Sequence, residues 1–375
     1  MAITDISELL TITVAQGGSD LHITTGNPPM IRIHGEMEGI EESPEPLSAS
    51  ECRRMVYDVL KEEQTASLER DLSIDLSISY EGLARFRVNV FHQIYGLGAV
   101  FRIIPERIPA IEKLGLPETI KKLTDYHKGL ILVTGPTGSG KSTTLASIID
   151  CVNETKKGHI ITIENPVEFI HKKKNCVVNQ REVGPSTHSF SDALRDALRE
   201  DPDYILVGEM RDLETISLAI TAAETGHLVF GTLHTSSAAK TVDRIIDAFP
   251  EGQQNQIKTM LSESLQAVVA QTLIKKKDGT GRIPAAEILI GTSAVRNLIR
   301  EGKTYQILSM IQTGRKDGMQ SLDQSLKDLM IKGLISREDA YRYAVEKEAF
   351  SMPEPLPEPE VAQEYVGQKK KFSFW

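Results

Sequence analysis

The 375-residue chain sets 43 Lys and Arg against 52 Asp and Glu, a formal net charge of −9, which argues against a general nucleic-acid binder. With 40% hydrophobic and 25% charged residues it is globular in composition and long enough for two domains. Three scattered cysteines, Cys52, Cys151 and Cys176, suit buried thiols in a reducing compartment better than disulfides or a zinc cage. The opening MAITDISELL lacks the features of a signal peptide, and no apolar run nears the ~20 residues that span a bilayer. A soluble cytoplasmic protein without membrane insertion is expected.

The first hundred residues read as strands with a helix or two. Helical patterning covers 49–64. Over 71–78, Leu72, Ile74, Leu76 and Ile78 alternate with polar residues, and over 85–91 Phe86, Val88 and Val90 share one face. A further strand falls at 99–105, which completes a small α+β domain over 1–104. The segment 105–117 holds three prolines and a glycine and reads as a linker. Beyond it, a second domain over 118–350 alternates apolar runs with helical patterns. The runs LILVTG at 130, HIITIE at 159, YILVG at 204 and HLVFGTLH at 227 imply a parallel sheet covered on both faces. From Gln253 to about Phe350 the pattern is mostly helical. The tail 351–375 alternates prolines with acids, reads as disordered, and ends in three lysines and FSFW. It is either a solvated tail or a docking peptide.

The chemistry begins at GPTGSGKST: Gly135, Pro136, Thr137, Gly138, Ser139, Gly140, Lys141, Ser142 and Thr143. This fits the phosphate-binding pattern G-x-x-x-x-G-K-[ST], placed between an apolar strand and a helix. Its glycines let the backbone approach phosphates, and the helix N-terminus favours their charge. Lys141 reaches the terminal phosphates of ATP, and the Ser142 hydroxyl suits Mg2+. Hydrolysis needs carboxylates as well. Glu164 ends the strand at 159–164, and Glu209 follows the strand at 204–207, positions where ligands meet open α/β sheets.

His234 ends the next strand and can contact a γ-phosphate or be structural, whereas His227, at that strand's start, reads as structural. Ser189 and Asp192 resemble a capping box. Arg195 and Arg199 lie four apart on one helix face, either pairing with Asp192 and Asp196 or serving a phosphate. Arg85, Arg87 and Arg102 sit on polar strand faces, where they are either solvated or reach a nucleotide across an interface. The lysines at 172–174 and 275–277 read as solvated loops, so no nucleic-acid partner is expected.

GPTGSGKST, TIENPVEF, ALREDPDYILVGEMRD and TGHLVFGTLHT together resemble the Walker A, Asp box, Walker B and His box of the type II secretion/type IV pilus ATPases. The resemblance spans roughly residues 1–350. It implies a PAS-like N-terminal domain, a RecA-like α/β P-loop ATPase domain and a homohexameric ring with ATP between domains. It makes Glu164 the general base, Glu209 the Mg2+-linked carboxylate and His234 a γ-phosphate contact. Arg199 and Arg211 match phosphate-facing arginines, and small-domain arginines complete the site. One departure is Asn165, where the family reads Glu-Asp-Pro and this chain Glu164-Asn165-Pro166. Activity is expected to survive, with rate or metal affinity affected.

The branch is indicated by AVRNLIRE: Ala294, Val295, Arg296, Asn297, Leu298, Ile299, Arg300 and Glu301. It reads as an amphipathic helix with Val295, Leu298 and Ile299 inward and Arg296 and Arg300 outward. It resembles the AIRNLIRE motif of the PilT-like twitching-motility retraction ATPases. Secretion and pilus-assembly ATPases usually have an extra N-terminal domain and a paired-cysteine zinc motif, and no cysteine follows Cys176 here. The resemblance thus implies an ATP-driven retraction motor acting on an inner-membrane pilus platform protein at the cytoplasmic face of the pilus base. A nucleotide-gated accessory subunit paired with a second retraction ATPase is the alternative, and a secretion or assembly motor a third reading.

Overall fold

A computed structural model describes residues 5–33, 35–104 and 107–351. The first part runs α1 (Ile6–Ala15), β1 (Asp20–Thr24), β2 (Met30–Ile33), β3 (Glu36–Gly39), α2 (Ala49–Tyr57), α3 (Glu62–Asp71), β4 (Ser73–Tyr80), β5 (Ala84–Gln93) and β6 (Gly96–Ile104). Its strands form one antiparallel sheet in the order β3-β2-β1-β6-β5-β4. Phe86, Val88 and Val90 of β5 are fully buried with Leu9, Leu10 and Met55 from the helices, as the alternation over 85–91 requires.

Two details differ from the sequence reading. The helical stretch 49–64 is two helices, because Gln64 reaches back to accept from the Lys61 backbone N–H at 2.9 Å and starts a new one. Leu72 does not belong to the strand. It closes α3 in a left-handed conformation, φ 63°, with its side chain exposed, and the strand starts one residue later.

The proline-rich stretch at 105–117 is packed in its second half. Ile111 is buried in a short 3-10 turn, and the Ser147 hydroxyl donates to the Pro109 carbonyl at 2.7 Å. Pro105, Glu106 and the tail from 352 onward lie outside the described residues.

The second part continues with α4 (Thr119–Lys122), β7 (Gly129–Thr134), α5 (Lys141–Thr155), β8 (His159–Glu164), β9 (Val177–Glu182), α6 (Phe190–Ala197), β10 (Tyr204–Val207), α7 (Leu213–Glu224) and β11 (Leu228–Leu233). Then come α8 (Ala238–Asp247), α9 (Glu251–Ser264), β12 (Leu265–Lys275), β13 (Arg282–Ile290), α10 (Ser293–Arg300), α11 (Ile307–Thr313), α12 (Leu322–Ile331) and α13 (Arg337–Tyr343). The sheet order is β13-β12-β7-β11-β10-β8-β9, parallel except for the β12–β13 pair.

β7 shows why the apolar runs are strands. Leu130 and Leu132 enter the core on one face, Ile131 and Val133 that on the other, and all are fully buried. Each such side chain contributes about 1.5–3 kcal/mol of burial. The stretch after Gln253 is mostly helical, as read from the sequence, but the reading missed two strands within it. β12 and β13 form an antiparallel hairpin there, with β12 seated directly beside β7. Among the described residues no helix is long and apolar enough to cross a membrane.

Candidate nucleotide site

β7 feeds the phosphate loop and α5 leaves it. Gly135, Gly138 and Gly140 have φ of 143°, 78° and 88°, a region closed to most L residues. At Gly135 space is also refused, since a Cβ would stand 2.2 Å from the Gln271 carbonyl oxygen. Gly140 begins α5 with no side-chain cap, which leaves first-turn N–H groups for an anion. Lys141 Nζ donates to the carbonyls of Gly135 at 2.9 Å and Pro136 at 3.1 Å. Burial holds its ammonium below the usual lysine range, while Glu209 and Glu168 act in the opposite sense. The buried Ser139 hydroxyl has no hydrogen-bond partner among the described residues, an orphan that a phosphate oxygen can satisfy.

Strand register sets the other groups along the same edge. Thr134 pairs with Leu233, Gly231 with Val207 and Val207 with Ile163. The phosphate loop, His234, Glu209 and Glu164 therefore follow one another at the carboxyl ends of β7, β11, β10 and β8, where ligands bind in open parallel sheets. Glu164 is partly buried. Burial pushes its carboxyl up to about 7, against hydrogen bonds from Thr162 at 2.7 Å and Gln180 at 3.4 Å. That is a useful value for a base at neutral pH. Glu209 differs. Burial works to raise it, but Arg211 at 2.6 Å and His234 Nε2 at 2.8 Å outweigh burial and leave it below the usual range. Asn165 is exposed and precedes a cis Pro166.

A magnesium ion fits this donor set. Mg2+ in phosphate-loop sites keeps waters and substrate phosphates and takes few protein ligands. The Ser142 hydroxyl is exposed at the start of α5, and Glu209 is an ionised carboxylate near enough to act on Lys141. Among the described residues no cluster of three or more His, Cys, Asp or Glu could hold a metal by itself.

The arginines are not all gathered here. Arg211 is, through Glu209. Arg199 follows α6, and the carbonyl of the next residue, Glu200, lies 3.0 Å from His159 Nδ1 at the start of β8. That is the edge opposite the chain's own phosphate loop. Its guanidinium is exposed, with no partner among the described residues. Arg195 pairs with Asp192 and Glu214, and Ser189 caps α6 by accepting from the Asp192 N–H, while the Asp192 carboxylate accepts from the Ser189 hydroxyl rather than completing a capping box. Arg102 binds Asp20 at 2.8 Å, and Arg87 lies 4.0 Å from Asp75.

Arg85 goes further. It crosses to Glu182 on β9 at 3.4 Å and takes Ser77 with it. Glu182 in turn accepts from the Val167 N–H at 2.9 Å, within the loop after Glu164. His227 Nδ1 lies 3.0 Å from the Ala222 carbonyl, as a structural residue would.

Helix α10 carries Ala294 through Arg300, with Glu301 as its C-cap. Val295 and Ile299 are buried as expected, and Ala294, Asn297, Arg300 and Glu301 are exposed. Arg296 departs from the outward reading. It turns onto the end of α9, donating to the carbonyls of Gly291, Ser262 and Glu263 and to Gln266 Oε1. Carbonyls at a helix C-terminus are unsatisfied and negative, so they draw a guanidinium inward.

Sequence reasoning missed Gln271, Gln180 and Glu182. Gln271, on β12, donates to the Ser139 carbonyl at 2.7 Å and accepts from Thr144 at 3.0 Å, bracing the loop from outside. Gln180, on β9, joins Glu164 to the Phe169 carbonyl and the His171 N–H. A buried glutamine in a strand was the available signal, but it needed the strands to be placed first.

A phosphate loop on a central parallel strand, faced at one sheet edge by two glutamates and a histidine, defines a P-loop nucleotide-binding protein. Residues 1–342 match the family described as Type II/IV secretion system protein, and the chain belongs to that family. It is 57% identical over 346 residues to "Type IV pilus retractation ATPase PilT" of Pseudomonas aeruginosa, covering 92% of this chain and 100% of that one. To "Type IV pilus ATPase PilU" of the same organism it is 41% identical over 340 residues, covering 91% and 88%. A crystal structure of "the Pilus Retraction Motor PilT and Bound ADP" aligns with TM-score 0.85 at 47% identity, covering 93% of this chain and 98% of that one.

Proposed function

We propose that the protein is a homohexameric, Mg2+-dependent ATPase that powers type IV pilus retraction and twitching motility. It acts in the cytoplasm at the pilus base, against an inner-membrane platform protein. The observation that carries this reading is the placement of Lys141, His234, Glu209 and Glu164 along one carboxyl edge of the sheet.

In this reading ATP lies on the phosphate loop. Glu164 removes a proton from a water as the water's oxygen bonds to the γ-phosphorus. The bond to the β-phosphate oxygen breaks, leaving ADP and inorganic phosphate. Lys141 and Arg211 balance the charge that develops, and His234 is held toward the phosphates by Glu209. Bound Mg2+ would neutralise phosphate charge, with Ser142 and Glu209 as its holders. Arg85, Arg87, Arg102 and Arg199 are assigned to nucleotide contacts across subunit and domain junctions of the ring. Movement between the domains 1–104 and 118–350, about the linker 105–117, passes work to the platform protein.

The accessory reading has less support, since identity to the retraction ATPase is 57% and to the PilU relative 41%. Lys141→Ala and Glu164→Gln should each abolish ATP turnover in a folded protein. Normal turnover by Glu164→Gln would remove the assigned base.

A further inference from the structure

The phosphate loop and helix α10 lie at opposite ends of one sheet. β12 starts at the α9–α10 end, where Leu265 pairs with Leu130, and reaches the phosphate loop at Ala270, beside Thr134. We propose that β12 transmits the state of the phosphate loop to α10, with Gln271 and Gln266 as its two positioning residues. This deepens the motor reading and rests on it.

Each glutamine ties β12 to the chain flanking β7. At the nucleotide end, the nearly buried Gln271 carboxamide is used on both sides, by the Ser139 carbonyl and the Thr144 hydroxyl. Its own carbonyl closes on Gly135, where no Cβ fits. At the far end Gln266 repeats the arrangement. Its Nε2 donates to the Lys128 carbonyl at 3.1 Å and its Oε1 accepts from Arg296 at 2.9 Å. Gly129 makes room for it, since a Cβ there would stand 2.5 Å from the Gln266 side chain. The register of β12 against β7 shifts between Leu265 and Ala267, at Gln266 itself. Such an irregularity re-aims a side chain and is common beside functional sites.

Four residues of strand lie between the two glutamines, five steps or roughly 17 Å along β12. Between them Ala267, Val268 and Val269 are fully buried. A close-packed strand cannot absorb a shift at one end by compressing, so it passes the shift on. At the α10 end the receiver is Arg296, which binds four acceptors drawn from α9, β12 and the turn before α10. A displacement of β12 that breaks the Gln266–Arg296 bond changes how α10 sits, and with it the exposed face of Ala294, Asn297, Arg300 and Glu301.

The test is backbone hydrogen exchange of the full-length protein with ADP and with a non-hydrolysable ATP analogue. Exchange over residues 291–300 should differ between the two states by about fivefold or more, the low end of typical coupling energies. Gln266→Met keeps the side chain's length and removes both polar groups. It should erase that difference while leaving nucleotide protection over residues 135–144 and ATP turnover as in the wild type. A purely structural Gln266 would instead lower the thermal midpoint and leave the nucleotide-dependent difference in place, which overturns the proposal. So does a wild-type protein whose residues 291–300 exchange identically in both states. Either result in a protein that hydrolyses ATP leaves the motor reading intact, whereas absence of turnover removes that reading instead.

Discussion

Thr162→Val is the sharpest perturbation of the assigned base. Thr162 is fully buried in β8, and its hydroxyl donates to Glu164 Oε1 at 2.7 Å. Valine keeps the branched shape that a central strand favours and removes only that donor. A hydrogen bond to a charged group contributes about 1.5–3 kcal/mol, so its loss raises the Glu164 pKa by about one to two units from its position near 7. At pH 7 the ionised fraction then falls from about one half to between ~9% and ~1%, so kcat drops about 5- to 50-fold.

The sign is fixed by the chemistry. The base acts only when ionised, so the acidic limb of kcat moves to higher pH and activity returns toward pH 9. The assay is kcat against pH for both proteins. A uniform loss with an unmoved limb would refute the reasoning, and so would a wild-type profile with no acidic limb between pH 6 and 8. Stability runs the other way. A carboxyl whose folded pKa lies above its usual 4.5 favours folding most below that value, and the contribution is lost as pH rises through about 7.

Gly135→Ala should abolish binding of a fluorescent ATP analogue and lower the thermal midpoint, because φ 143° and a contact at 2.2 Å with the Gln271 carbonyl both exclude a methyl group; retained binding would mean that the loop moves freely from β12. Glu182→Gln leaves an acceptor for Val167 but removes the charge opposing Arg85, whose side chain is only 16% exposed. About 1–3 kcal/mol of stability should be lost, between the values for surface and buried pairs, with faster proteolysis at 105–117. Unchanged unfolding and cleavage would show that this pair does not hold the two parts together.

The sequence was most legible where one residue type admits one geometry. The phosphate loop was recognisable because its glycines and Lys141 answer to backbone approach and charge. Glu164 and Glu209 were legible because each follows a run buried on both faces, which ends at the ligand edge of a parallel sheet. The β12–β13 hairpin was not. Within Leu265 to Lys275 only Ala267 to Ala270 is an unbroken apolar run, and so short a run has no period to separate strand from helix. Gln271 was hidden with it, since its role depends on β12 lying next to β7. Arg296 was misread because helical periodicity places a residue on a face but does not show that a neighbouring helix ends there. Arg85 was legible as an arginine on a polar face, while its partner Glu182, 97 residues further along, was not.

The central claim is that ATP hydrolysis here removes pili rather than building them. The most direct measurement is to delete the gene in its native host and count surface pili alongside twitching motility, with complementation by the wild type and by Lys141→Ala. The account predicts more surface pili with twitching lost, restored by the wild type and not by Lys141→Ala. Bald cells would contradict it and mark the protein as an assembly motor.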